Sequence, residues 1–220
     1  IVLNFTPCYS ISEDADDIAA TAFADDYLNQ WYMKPIMDGT YPAIIEQLPS
    51  AHLPDIHDGD MAIISQSIDY LGINFYTRQF YKAHPTEIYE PIEPTGPLTD
   101  MGWEIYPKSF TELLVTLNNT YTLPPIFITE NGAAMPDSYN NGEINDVDRL
   151  DYYNSHLNAV HNATEQGVRI DGYFAWSLMD NFEWAEGYLK RFGIVYVDYS
   201  TQQRTIKNSG LAYKALISNR

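Results

Sequence analysis

The chain has 220 residues, 45% of them apolar, which is enough for one large domain or two small ones with a sizeable core. A formal net charge of −18 excludes nucleic acid and anionic membrane surfaces as partners, since both are held by Lys/Arg patches. The single cysteine, Cys8, excludes an internal disulfide, and no apolar run approaches the roughly 20 residues of a membrane span.

The chain opens on IVLNFTP, which reads as a buried strand over residues 1–6, with no methionine and no polar lead-in. Termini are usually polar and frayed, so the reading is that this chain starts inside a fold. No leader pattern is visible, and a cytoplasmic location is expected, with secretion left open by the missing start. Ser12-Glu13-Asp14 supplies capping oxygens for a helix running to about Asp38, with Ile18, Ala22, Tyr27 and Trp31 near one face and Gly39 as its stop. Short helical pieces are expected near residues 42–48 and 60–66. DYLGINFYT, Asp69 to Thr77, is the second strand. A long proline-rich loop, roughly 82–103, leads to a helix over 107–121. Residues 125–130 form the third strand. A helix follows over 146–166, with Asp146 as N-cap and Gly167 as stop. Residues 170–178 are the fourth strand. A hairpin around 194–204 and a helix over 209–217 close the chain.

Strand and helix alternate four times, which predicts a parallel sheet covered by helices. No glycine-rich loop follows any strand, so a dinucleotide or P-loop fold is disfavoured. Polar residues gather just past the strand ends: Asn74, Tyr76, Glu130 and Trp176. A (β/α)8 barrel keeps its site at that face, and four units are half of one.

Three stretches carry candidate chemistry. In ITENG a buried strand runs into the carboxylate of Glu130 and then the turn pair Asn131-Gly132. A buried carboxylate needs a partner or a task, so it is either a salt-bridged strand end or a reactive group. YFAWSLMDNFEWAEGY, Tyr173 to Tyr188, carries Trp176, Asp180, Glu183, Trp184 and Glu186. A tryptophan beside a carboxylate suits a sugar, the ring covering its apolar face and the carboxylate taking its hydroxyls; a core tryptophan under an acidic loop is the plainer reading. Asn74 and Tyr76 are two apart on a strand and share a face, whether in a core or in a barrel interior. Among weaker signals, HLPDIHDGD, His52 to Asp60, mixes His and Asp at spacings that fit no common metal site. His156 and His161 are five apart on one helix, a poor ligand pair. The sequons at Asn4, Asn118 and Asn162 are read as chance.

GINFYT, ITENGAA and YFAWSLMDNFEWAEGYLKRFGIVYVDY, in this order, resemble family 1 glycoside hydrolases, the retaining β-glucosidases and their relatives. The resemblance covers all 220 residues and implies α/β architecture, the C-terminal half of one (β/α)8 TIM barrel, with the N-terminal half outside this chain. It implies Glu130 as the nucleophile, faced by Tyr76 and Asn74. Trp176, Glu183, Trp184 and Phe192 would bind the glycone sugar, and Trp103, in MGWEI, would carry the aglycone. The family's acid/base glutamate sits in a T-x-N-E-P motif that does not occur here, so the chain holds half a site. By itself it is expected to be inactive, unless another carboxylate, such as Glu186 or Asp180, supplies the proton. The expected partners are a small carbohydrate and either the other half of the barrel or a second copy of this chain, with no cofactor and no metal. The rival readings are a 6-phospho-β-glycosidase, a non-catalytic self-associating half barrel, and a sugar-binding remnant.

Overall fold

The computed structural model describes residues 1–218. In chain order it has β1 (Val2–Phe5), β2 (Cys8–Ser10), α1 (Ala15–Asp25), α2 (Trp31–Asp38), α3 (Asp60–Ile64), β3 (Leu71–Phe75), β4 (Gln79–Lys82) and β5 (Glu90–Ile92). Then come α4 (Lys108–Thr120), β6 (Ile126–Asn131), β7 (Tyr139–Asn140), β8 (Glu143–Ile144), α5 (Val147–Glu165), β9 (Ile170–Ala175), β10 (Val195–Val197), β11 (Arg204–Ile206) and α6 (Asn208–Ser218).

The centre is a four-stranded sheet in the order β1-β3-β6-β9, parallel throughout. Half a (β/α)8 barrel has this layout, and both outer strands, β1 and β9, have a sheet neighbour on one side only. On the helix side Leu71, Ile73, Phe75, Ile126 and Ile128 are fully buried under Phe110, Leu114 and Leu117 of α4 and Ala159 and Ala163 of α5. Phe75 and Phe110 stack at 4.2 Å between centroids. The other face, with Phe127, Thr129 and Phe174, is an open concave surface.

The long first helix differs from expectation. A π turn at 26–30 separates α1 from α2. The face packed inward carries Ala20, Thr21, Ala24 and Met33, whereas Ile18 and Tyr27 are exposed. Small side chains let α1 lie close to a second sheet, and the wider π turn rotates α2 relative to α1. That second sheet, β2-β4-β5, was not expected. The proline-rich loop folds back so that β5 pairs antiparallel with β4. Its proline, Pro91, lies on the edge strand, where a missing N–H costs least.

Asp14 does cap α1, accepting from the Asp16 amide at 3.0 Å. Gly39 ends α2 in the left-handed region, at φ 69°. Asp146 does not cap α5 with its side chain. Its carboxylate instead accepts from the Ser209 amide at the start of α6, at 2.9 Å, and from Arg149 at 2.6 Å.

Candidate active site

Glu130 ends up in a cavity because β6 is irregular. Register pairs Ile73 with Ile128 but Asn74 with Glu130, so one extra residue sits between them. Strict alternation would put Glu130 on the core face with Ile126 and Ile128. The bulge turns Thr129 and Glu130 inward together and returns Asn131 to the core, a re-aiming that bulges near active sites perform.

The cavity is about 570 Å³ and is lined by Tyr76, Trp103, Glu130, Trp176, Glu183, Trp184 and Phe192, together with Asn4, Asn181 and Phe182. Of the eight site residues that the resemblance implies, Asn74 alone is off the lining. It shares the inward row but is occupied below the floor, where its Oδ1 accepts from the Thr129 hydroxyl at 2.6 Å. Asn4, Asn181 and Phe182 escaped sequence reasoning. Asn4 offered a signal: it lies near the end of β1 in register with Asn74, and so in the row that contains Glu130.

The Tyr76 hydroxyl donates to Glu130 Oε2 at 2.6 Å. Burial, and then the Glu130 carboxylate, push the phenol far above its ordinary range, so it stays a donor. A short bond to an ionised acceptor is the stronger kind. The Tyr76 ring lies 5.3 Å from Trp103 and 6.1 Å from Phe192, building an apolar wall beside the charge. Across the cavity, burial raises the Glu183 carboxyl above its usual range, and the negative charges of Glu130 and Glu186 add to this. Trp184 follows in the left-handed region at φ 43°, 82% exposed at the rim, in a turn closed by Glu183 N–H to the Gly187 carbonyl.

Asn131-Gly132 is not the turn pair the sequence suggested. Asn131 is the last residue of β6 and is fully buried. Gly132 is required by proximity: a Cβ there would sit 1.8 Å from the Trp176 carbonyl oxygen. Asp180 is likewise not a solvated acid beside the sugar loop and is no candidate proton donor. It is buried and takes Arg191 at 2.6 Å, Lys207 at 2.9 Å and the Gly193 amide at 3.0 Å. Lys207 also reaches Asp137 at 2.5 Å, and Asp137 takes Arg149 at 2.8 Å. This buried chain of charges ties the loop after β6 to the loop after β9, and sequence reasoning missed it entirely. Away from the site, His57 and Asp55 are exposed, 3.6 Å apart. Among the described residues no group of three His, Cys, Asp or Glu could hold a metal ion. Nor, among them, is any helix long and apolar enough to cross a membrane.

Parallel strand tops that bring a tyrosine-held carboxylate, a second carboxylate and aromatic walls together describe a carbohydrate-processing α/β barrel. Comparison makes this specific. The sequence profile described as Glycosyl hydrolase family 1 matches residues 1–220, and the chain belongs to that family of glycosidases. It is 41% identical to β-glucosidase A of Thermotoga maritima over 223 residues, covering 100% of this chain and 50% of the relative. It is 34% identical to a 6-phospho-β-galactosidase of Clostridium acetobutylicum, covering 94% of this chain and 50% of that one. Among solved structures, a β-glucosidase from Exiguobacterium marinum superposes with a TM-score of 0.95 at 42% identity, over 99% of this chain and 51% of that one. The Thermotoga maritima family 1 β-glucosidase in complex with isofagomine lactam gives 0.94 at 40%, over 99% and 50%. The chain thus spans about half the length of the relatives it matches.

Proposed function

We propose that this chain is the nucleophile-bearing, C-terminal half of a retaining β-glucosidase, which releases terminal β-linked glucose or a related sugar by double displacement. The observation that carries the reading is the Tyr76–Glu130 bond, 2.6 Å long, at the strand tops inside an aromatic-walled cavity. A carboxylate nucleophile must stay ionised, and a hydroxyl donor favours that form. Trp176 and Trp184 offer ring faces, Glu183 accepts sugar hydroxyls, and Trp103 carries the aglycone.

Retention requires a second carboxyl group about 5 Å from the nucleophile, acting as acid and base. The reading assigns it to the complementary half of the barrel, docked on the open edges of β1 and β9. A proton donor is worth roughly 10²- to 10⁴-fold, so the chain by itself should not measurably hydrolyse cellobiose. A second copy of this chain would cover the same edges without supplying the donor. Sedimentation of the chain alone and with the other half separates the two arrangements.

Unphosphorylated sugars are favoured over 6-phospho sugars. The cavity lining holds two carboxylates, Glu130 and Glu183, and no Lys or Arg among the described residues. A phosphate dianion beside Glu183 is repelled, the more so once water is excluded. The deciding experiment is Glu130→Ala in the completed barrel. Turnover of an activated aryl β-glucoside should fall on the order of 10³-fold or more, as for loss of other covalent nucleophiles. Azide should restore it with the opposite anomeric configuration in the product. An alanine variant with near-normal turnover overturns the reading.

A further inference from the structure

The residue after Glu130 is held by several hydrogen bonds, yet does not line the active-site cavity. Asn131 is fully buried. Its Nδ2 donates to the Phe75 carbonyl at 2.8 Å and to the Tyr152 hydroxyl at 3.1 Å. Its Oδ1 accepts from the Tyr173 hydroxyl at 2.6 Å. Its backbone carbonyl accepts from the Trp176 amide at 2.9 Å. The Tyr152 hydroxyl passes on to the Tyr76 carbonyl at 3.3 Å. Both amide protons and the amide oxygen are therefore used, in a core where an unmet polar group would be costly.

The targets of these bonds matter more than their number. The Phe75 carbonyl belongs to the peptide that leads into Tyr76. The Trp176 amide belongs to the residue whose ring walls the cavity. Asn131 itself is bonded covalently to Glu130. One residue thus fixes the relative heights of three strand tops, each of which carries a cavity residue.

We propose that Asn131, acting through Tyr152 and Tyr173, is the positioning residue that sets the Tyr76 hydroxyl against Glu130. This rests on the reading of Glu130 as the reactive carboxylate. Neither tyrosine lines the cavity, so any effect of theirs on chemistry must travel through this network.

Two conservative variants, Tyr152→Phe and Tyr173→Phe, each remove one hydroxyl and keep the ring. The 220-residue chain is labelled with tyrosine ¹³Cζ, and the Tyr76 signal is identified by its loss in Tyr76→Phe. Its bond to Glu130 is identified by the shift in Glu130→Gln. Both Phe variants should move the Tyr76 signal, whereas Tyr9→Phe, whose hydroxyl bonds Glu112 instead, should not. In the completed barrel, kcat is measured per active site titrated with a slowly turning-over fluoroglycoside. It should fall about tenfold with KM changed less than about twofold, because small misplacement of reacting groups is expensive. A Tyr76 signal unmoved by either variant overturns the proposal. So does a loss of titratable sites with kcat per site unchanged, which is what a purely structural role gives. If the wild-type barrel shows no turnover, the proposed function fails, and the Tyr76 signal still decides the positioning claim.

Discussion

His156 should make the stability of this chain fall with acid by an amount that the structure sets. The ring is fully buried, stacked on Tyr152 at 3.7 Å between centroids and flanked by Phe75 and Phe110. Nδ1 lies 2.8 Å from the Tyr152 carbonyl and therefore carries the proton, while Nε2 has no hydrogen-bond partner among the described residues. Burial pushes the imidazole down to about 4, against 6.5 for a free histidine. Between those values the unfolded chain holds a proton that the folded chain refuses. Stability is therefore complete above pH 6.5 and drains away as the pH falls towards 4. The full loss is about 3 kcal/mol, and about 2 kcal/mol of it should appear between pH 7 and pH 5. Carboxylates titrate nearby, so the quantity to measure is a difference. Urea unfolding of the wild-type chain and of His156→Phe, followed from pH 7.5 to 5, should show the wild type losing about 2 kcal/mol more than the variant. Parallel curves would refute the reasoning, since they would mean that the buried imidazole either protonates freely or is exposed by local opening.

Lys207→Met should cost about 3–5 kcal/mol in urea unfolding, because it strips a buried cation from both Asp137 and Asp180; a loss below about 1 kcal/mol would mean that the remaining arginines suffice. Gly132→Ala drives a methyl group into the Trp176 carbonyl and should cost about 1–3 kcal/mol while abolishing turnover in the completed barrel; full activity would place that peptide elsewhere. Glu183→Ser removes the carboxylate that burial and Glu130 already disfavour. The ratio of 6-phosphoglucoside to glucoside turnover should rise, and an unmoved ratio would remove the electrostatic argument against phosphorylated sugars.

Much of this molecule was legible before any coordinates. Short apolar runs ending in polar residues located β1, β3, β6 and β9, because strands of a parallel sheet read as near-continuous apolar runs. The Asp14 cap and the left-handed glycines Gly39 and Gly167 bounded helices, as those are local effects, whereas the cap expected of Asp146 did not form. Tyr76, Glu130, Trp176, Glu183 and Trp184 could be grouped from strand ends and motif resemblance. Three things needed the tertiary structure. Alternation alone assigns Glu130 to the core face, and only pairing with β3 reveals the bulge that turns it into the cavity. Asn131-Gly132 has the chemistry of a turn, and only the approach of the Trp176 peptide shows why a buried amide and a missing Cβ are needed there. Asp180 lies among surface-like acids in the sequence, yet its partners Arg191 and Lys207 lie 11 and 27 residues further along the chain. Charge pairing over that distance depends on where loops meet in space, which no local pattern encodes.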